Sequence, residues 1–293
     1  MAVYSIKELE KLSGIKAHTI RIWEKRYSLI EPRRTNTNIR YYTDENLKKI
    51  LNVALLNRQG IKISHIAKLN EQELKEEIIR TSVKSNSHTA LVDSLVIAMI
   101  DLDQYILEAI IDKSIAKIGF KDTVTEVLYP FLDKVGILWQ SGEVNPAQEH
   151  FVANLIRQKI ISASDQLPNT FNPKAKKFLL MLPEGEWHEL ALLFAQYLIK
   201  KAKHEVIYLG QSVPYSDVLA SGAAMQFDYI LISSITKRSE FDLNVCLKDL
   251  GGAFPDKKIL FFTSHSINQP SEHLGNYLQL SSLQDLSDFI TDK

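Results

Sequence analysis

One cysteine, Cys246, stands among 293 residues, so the chain can form no intramolecular disulfide and cannot build a thiolate metal site from its own side chains. That scarcity argues against redox sensing and soft-metal sensing. No run of roughly 20 uninterrupted apolar residues occurs, which argues against a membrane span. The amino terminus, MAVYSIKELEKL, lacks the apolar core and small-residue cleavage site of a secretory signal, so the expected location is the cytoplasm. Net charge is lacking as well, since 35 Lys and Arg balance 35 Asp and Glu. The balance is uneven along the chain. Residues 1–60 hold 12 Lys and Arg against 6 Asp and Glu, leaving 23 against 29 for the rest. A basic module on an acidic remainder is the footprint of a nucleic-acid reader, because cations that neutralise phosphates release counterions. A solvated charged surface is the alternative.

The hydrophobic fraction of 45% and charged fraction of 24% are those of a globular protein, and the length suggests two or three domains. Residues 5–12 read as a short helix with Ile6, Leu9 and Leu12 on one face, closed by Ser13-Gly14. Residues 17–27 read as a second helix with Ile20 and Trp23 inward, so Trp23 is expected in the core. Leu29 to Pro32 and then RRTNTNIRYY suit a hairpin with a returning strand at residues 39–42, a wing. Thr43 is placed to cap a helix that starts at Asp44 and runs to Gly60, and Ile63, Ile66 and Leu69 mark a shorter one.

A polar tail over residues 72–86 leads to a boundary near residue 85. Residues 88–166 carry four long helical patterns without strand signals: Ala90 to Met99, Leu102 to Lys117, Phe120 to Trp139 and Pro146 to Leu167. After LPNTFNPKAKK, short apolar runs (FLLML, EVIYLG, YILISS, KILFFT, YLQLSS) alternate with helical stretches, which means a parallel sheet covered by helices. The expected class is multidomain α and α/β, with a winged helix-turn-helix at 1–73, a four-helix bundle at 85–167 and a flavodoxin-like doubly wound parallel sheet at 175–293. In such a sheet ligands bind beyond the carboxyl ends of the strands, here after Leu182, Gly210, Ser234 and Thr263.

The segment YSIKELEKLSGIKAHTIRIWEKRYSLIEPRRTNTNIRYYTDENLKKI resembles the amino-terminal domain of the MerR family, particularly the branch with Trp-Glu-Lys-Arg-Tyr in the second helix. The resemblance implies that helix 17–27 enters the major groove of double-stranded operator DNA. His18, Thr19, Arg21, Lys25 and Arg26 would then lie near bases or phosphates, with Arg33, Arg34, Arg40 and Tyr41 gripping the backbone from the wing. Arginine and lysine geometry agrees with that use, although Arg33-Arg34 also reads as a solvated pair. The chain lacks the extended dimerisation helix and terminal cysteines of metal-sensing relatives, so a homo-oligomer, dimer or tetramer, would be built by the remaining domains.

Trp139 followed after nine residues by Glu149-His150 resembles the bundle of CarH-like cobalamin-dependent regulators. The resemblance implies that these three cover the upper corrin face and shelter the adenosyl group; a surface capping pair is the alternative for Glu149-His150. The loop LPEGEWHELA is similar to the cobalamin signature of acidic residue, any residue, His, two residues, Gly. It implies His188 as lower ligand to the cobalt of adenosylcobalamin or methylcobalamin, with Glu186 behind it and Ser233 and Ser234 on the nucleotide tail. His188 as a cap on the helix from residue 189 is the alternative.

Three positions depart from the family pattern. Ala191 replaces the Gly, Phe262-Thr263-Ser264-His265 replaces a Gly-Gly strand end, and Gln140 stands where light-responsive members carry His. The leading reading is a non-enzymatic transcription regulator, a repressor, whose oligomerisation or DNA affinity is controlled by a corrinoid held between the bundle and the α/β domain. A regulator whose carboxyl half is a cofactor-free interaction module, and a corrinoid-carrying methyltransferase subunit, stay open beside it.

Overall fold

The computed structural model describes residues 3–35, 37–84, 88–140, 144–168, 172–236, 241–263 and 276–291. The chain falls into two compact units, Met1–Val152 and Ala153–Lys293.

In the first unit, α1 (Ile6–Ser13) opens on a capping box, with Ser5 Oγ accepting from the Glu8 amide and the Glu8 carboxylate accepting from the Ser5 amide. It closes at Gly14, whose φ of 69° lies in the left-handed region that glycine adopts without strain. The next helix, α2 (Ala17–Tyr27), has no side-chain cap of its own. Glu10 of α1 supplies one, accepting from the Ala17 amide at 3.0 Å while pairing with Lys16 at 3.1 Å, so the angle between the two helices is fixed by a carboxylate. Ile20 and Trp23 are buried against the rest of the head, as their spacing requires.

The wing contains strands β1 (Val3–Tyr4), β2 (Arg33–Arg34) and β3 (Arg40–Thr43) in antiparallel order β1-β3-β2. Two-residue β1 is too short to leave a period-2 signal and was not foreseen. Thr43 caps α3 (Asp44–Arg58), which is followed by α4 (Ile63–Ile66) and α5 (Glu71–Lys84). The boundary expected near residue 85 lies outside the described residues.

The helical segment continues through α6 (His88–Ile100), α7 (Gln104–Ile118), α8 (Phe120–Thr123), a π-helical turn (Val124–Leu128), α9 (Tyr129–Gln140) and α10 (Pro146–Asp165). The single helix expected from Phe120 to Trp139 is therefore corrected to a helix with a bulge. Pro130 has no amide hydrogen to offer the carbonyl four residues back, and its ring would strike that carbonyl. The turn widens instead, so that the Tyr129 amide donates to Val124, five residues earlier.

In the second unit, β4 (Lys177–Pro183), β5 (Glu205–Val213), β6 (Tyr229–Ser234), β7 (Lys258–Thr263) and β8 (Tyr277–Gln279) form one parallel sheet in the order β5-β4-β6-β7-β8. Counted within this unit the order is 2-1-3-4-5, the flavodoxin-like winding expected from the alternation. Helices α11 (Leu190–Lys201), α12 (Tyr215–Met225), α13 (Leu243–Ala253) and α14 (Leu283–Thr291) connect and follow the strands. The last of these was not foreseen. The reversal of strand order lies between β4 and β6, whose carboxyl ends therefore flank a crevice. Leu231, at the centre of β6, is fully buried between β4 and β7. Leu231→Ala is expected to lower the stability of this unit by about 3 kcal/mol, read as a fall in the denaturant midpoint of the sheet transition with unchanged slope.

Candidate functional site

At the switch point the chain buries a carboxylate. Glu186, in the turn after β4, is 1% exposed. Its Oε1 accepts from the amides of Trp187 at 3.0 Å and His188 at 3.2 Å, and from Thr236 Oγ1 at 3.2 Å. Its Oε2 accepts from the amides of Ile235 at 3.0 Å and Thr236 at 2.8 Å, just beyond the end of β6. Burial alone would push the Glu186 carboxyl up. The donors, led by the Thr236 amide and the His188 ring, outweigh burial and hold it at about 2.

The loop is tied from the other side too. Relative to β4, strand β5 shifts register after Leu180 and again after Met181. The bulged end brings Ser212 to the loop, where its Oγ accepts from the Gly185 amide at 2.9 Å and its amide donates to the Glu186 carbonyl at 3.1 Å.

His188 Nδ1 faces Glu186 Oε1 at 2.7 Å and Thr236 Oγ1 at 3.1 Å. An ionised carboxylate only accepts, so Nδ1 carries a hydrogen, and in the neutral ring Nε2 is the nitrogen with the lone pair. The side chain is 66% exposed, so the ring can be reached by a ligand. The alternative of His188 as a helix cap fails, because α11 starts after Glu189 with no side-chain cap and His188 bonds Glu186 and Thr236 instead. Glu189 turns back into the unit, paired with Arg157 and accepting from Tyr208 Oη at 3.2 Å.

Beside this pair, Ser233 and Ser234 end β6, buried at 0% and 3% exposure. Ser233 Oγ has no hydrogen-bond partner. A buried hydroxyl left without a partner costs about 1–3 kcal/mol, which suits a position that a polar ligand group completes. Thr263 is the last residue of β7, in register with Ser234. Ser264 and His265 lie outside the described residues. Ala191 sits half-buried in the first turn of α11.

On the bundle, Trp139 in α9 is 54% exposed, and Gln140 is the last residue of that helix. Glu149 and His150 lie in the first turn of α10, paired to each other at 3.1 Å. They do not cap it. Asn145 and Gln148 do, each side chain accepting from the other's amide.

In the head, His18, Arg21, Lys25 and Arg26 are exposed along α2, and Thr19 is half-buried. Ile22 is 52% exposed on the same helix, and sequence reasoning passed over it because an apolar residue at helical spacing reads as core. Arg33 and Arg34 are exposed on the wing, Arg34 donating to Asn38 Oδ1 at 2.7 Å, and Tyr41 is half-buried opposite Arg33. Arg40 is partly engaged within the fold, its Nε 3.3 Å from Glu24 Oε1, while Tyr42 Oη donates to Glu24 Oε2 at 3.1 Å.

Residues 4–73 match the family model of the MerR HTH family regulatory protein, and residues 91–161 match that of the B12 binding domain. The HTH-type transcriptional repressor CarH of Myxococcus xanthus is 30% identical over 258 residues, spanning 86% of this chain and 85% of its own. The repressor CarA of the same organism is 27% identical over 253 residues, 83% of this chain and 81% of its own. Among solved structures, the monomethylamine corrinoid protein of Methanosarcina barkeri aligns with a TM-score of 0.57 at 14% identity, over 70% of this chain and 99% of its own, a likeness of fold. No helix among the described residues is long and apolar enough to cross a membrane.

The depressed Glu186 carboxyl makes a stability prediction whose sign follows from linkage. A carboxylate with a lowered folded-state pKa stabilises the fold above its ordinary value of 4.5, and loses that contribution as pH falls toward about 2. Glu186→Gln is expected to lower the stability of the second unit at pH 7 by roughly 3 kcal/mol and to flatten its pH dependence between pH 4.5 and 2. Chemical denaturation of both proteins across that range checks it.

Proposed function

The chain belongs to the CarH-type family of MerR regulators, and from that premise we propose that it is a DNA-binding transcription regulator whose hold on its operator is set by a bound corrinoid. It reads double-stranded DNA through residues 4–73. The observation that carries the corrinoid reading is the Glu186–His188 pair at the switch point of the sheet, next to the unpartnered hydroxyl of Ser233.

The donor set fits. One imidazole is available there, with its second nitrogen held by a carboxylate, which raises ligand basicity and fixes the tautomer. A single protein nitrogen suits a metal that brings its other ligands in a macrocycle. In this reading His188 Nε2 would hold the cobalt, Glu186 would orient the ring, and Ser233 and Ser234 would bond the nucleotide tail. Trp139, Glu149 and His150 are the bundle residues that would serve the cofactor. When bound, the corrinoid supplies an upper ligand that differs between its forms, adenosylcobalamin and methylcobalamin being the ones proposed. The protein responds only to the extent that its conformational states bind those forms unequally.

The functional modules are the head at 1–73, the bundle at 85–167 and the α/β domain at 175–293. Repression is carried over from the relatives, which are named as repressors, and a symmetric homo-oligomer would set two heads on paired half-sites. On α2, His18, Thr19, Arg21 and the exposed Ile22 face base edges, Ile22 being suited to a thymine methyl. Lys25, Arg26, Arg33, Arg34, Arg40 and Tyr41 meet phosphates.

Two measurements test this reading. Chain mixed in the dark with adenosylcobalamin or methylcobalamin is expected to leave gel filtration coloured, and His188→Ala to lose most of that colour. Colourless parent protein would favour a cofactor-free interaction module. For the head, Arg33→Ala is expected to weaken binding to operator and random DNA alike and to lower the salt slope by about 1, whereas Arg21→Ala alters sequence preference. Unchanged binding in both variants would overturn the docking assignment.

A further inference from the structure

Within the first unit the DNA-reading head packs on the bundle through buried apolar side chains of α3, α5 and α6, and a small set of polar contacts converges on one turn beside them. Helix α5 packs on α3 of the head and on α6 and α7 of the bundle. The turn between α6 and α7, residues 101–103, is gripped from both neighbours. From α3, Lys48 Nζ donates to the Asp101 carbonyl at 3.4 Å and lies 3.9 Å from the Asp101 carboxylate. From α5, Lys75 Nζ meets Asp103 Oδ2 at 2.7 Å, with Glu71 at 3.8 Å. Asp103 also caps α7, accepting from the Ile106 amide at 3.1 Å.

The same turn is held from α10. Gln148 Nε2 donates to the Ile100 carbonyl at 3.0 Å, one residue before Asp101. Gln148 immediately precedes Glu149 and His150, the bundle residues assigned above to the cofactor. Between the two, Leu102 adopts φ 52°, a left-handed conformation that a branched side chain holds only under constraint from its surroundings.

The turn is costly in its charge as well as its backbone. Asp101 Oδ1 is buried without a hydrogen bond. Burial pushes the Asp101 carboxyl up to about 6 against the pull of Lys48 and an Asn52 hydrogen bond, so its charge relies on the head staying in place. Beside these pins the head and bundle are not fully packed. A cleft of about 790 Å³ lies between Leu47, Leu51 and Leu55 of α3 and Val96, Ile97 and Ile100 of α6, leaving room for the head to shift.

We propose that the turn Asp101-Leu102-Asp103 is the relay that positions the head, with Lys48, Lys75, Asp101, Asp103 and Gln148 as positioning residues between the cofactor-facing start of α10 and helix α3. The corrinoid part of this inference rests on the function proposed above; the seating of the head does not.

The test uses the full chain and variants that spare the fold. Asp103→Asn keeps a good helix cap but removes the charge, Lys75→Met removes the partner, and Lys75→Arg restores it. In the corrinoid-free chain, amide hydrogen exchange along α3 and α5 is expected to quicken about tenfold in Asp103→Asn and Lys75→Met and to return toward the parent rate in Lys75→Arg. Operator affinity is then measured with and without adenosylcobalamin. The ratio of the two is expected to shrink at least about threefold toward one in the first two variants, with corrinoid still bound. Parent-like exchange and a parent-like ratio in both would overturn the relay. A ratio of one in the parent itself would count against corrinoid control, and the exchange rates alone would then decide the seat.

Discussion

A carboxylate that must remain charged inside the sheet unit organises the site. An ionised group withdrawn from water costs several kcal/mol unless donors replace the lost hydration. For Glu186 those donors come from its own loop and from residues 235 and 236, so the β4–α11 loop must close over the end of β6. Closure at that point sets the His188 ring through its Nδ1. The fold repeats the device elsewhere. Glu24 is held by Arg40 and Tyr42 in the head, and Glu189 by Arg157 and Tyr208 beside the sheet. In each case a carboxylate takes a cation and a phenol, and the phenol is pushed up, by burial first and the carboxylate second, Tyr42 to about 12. Glu186 differs in taking backbone amides, a threonine hydroxyl and one imidazole, a side chain that binds metal as a neutral nitrogen ligand.

Much of this architecture is legible in the residues, because it rests on local periodicity. Helices 17–27 and 44–58, the Thr43 cap, and strands 229–234 and 258–263 follow from apolar spacing and turn chemistry that no tertiary contact overrides. The π-helical turn was missed although Pro130 was in plain view, since a long apolar period outweighs one interruption. Strand β1 and helix α14 were missed because a two-residue strand has no period and the last helix follows a short edge strand. The pairing of Glu186 with His188 was implied by the resemblance of LPEGEWHELA to the cobalamin signature. Its ties to Ile235 and Thr236 were not, because they join segments some fifty residues apart through backbone amides, which carry no residue identity. The engagement of Arg40 by Glu24 was hidden because it joins a helix to a strand through tertiary packing that spacing along the chain does not show.

The charge asymmetry that first pointed to DNA is real but overstates the interface. Several of the head's cations have structural duties. Lys16 pairs with Glu10, Arg40 with Glu24 and Lys48 with Asp101, while Arg58 donates to the carbonyls of Ala54 and Ser13 near two helix ends. Arg21, Lys25, Arg26, Arg33 and Arg34, exposed on α2 and the wing, form a smaller and more directional surface. A surface of that size suits affinity that must be adjustable, because fewer phosphate contacts leave operator binding responsive to how the heads are held.

Magnitudes also favour a modest coupling. Effectors typically shift affinity at a distant site by about 1–3 kcal/mol. Two partly exposed ion pairs contribute at most about 1 kcal/mol each, so Lys48–Asp101 and Lys75–Asp103 together reach that range without exceeding it. Buried apolar contacts of α3, α5 and α6 keep the head attached, while the ion pairs around the strained turn, beside the cleft, set its position with an energy of the same order as the signal that has to shift it.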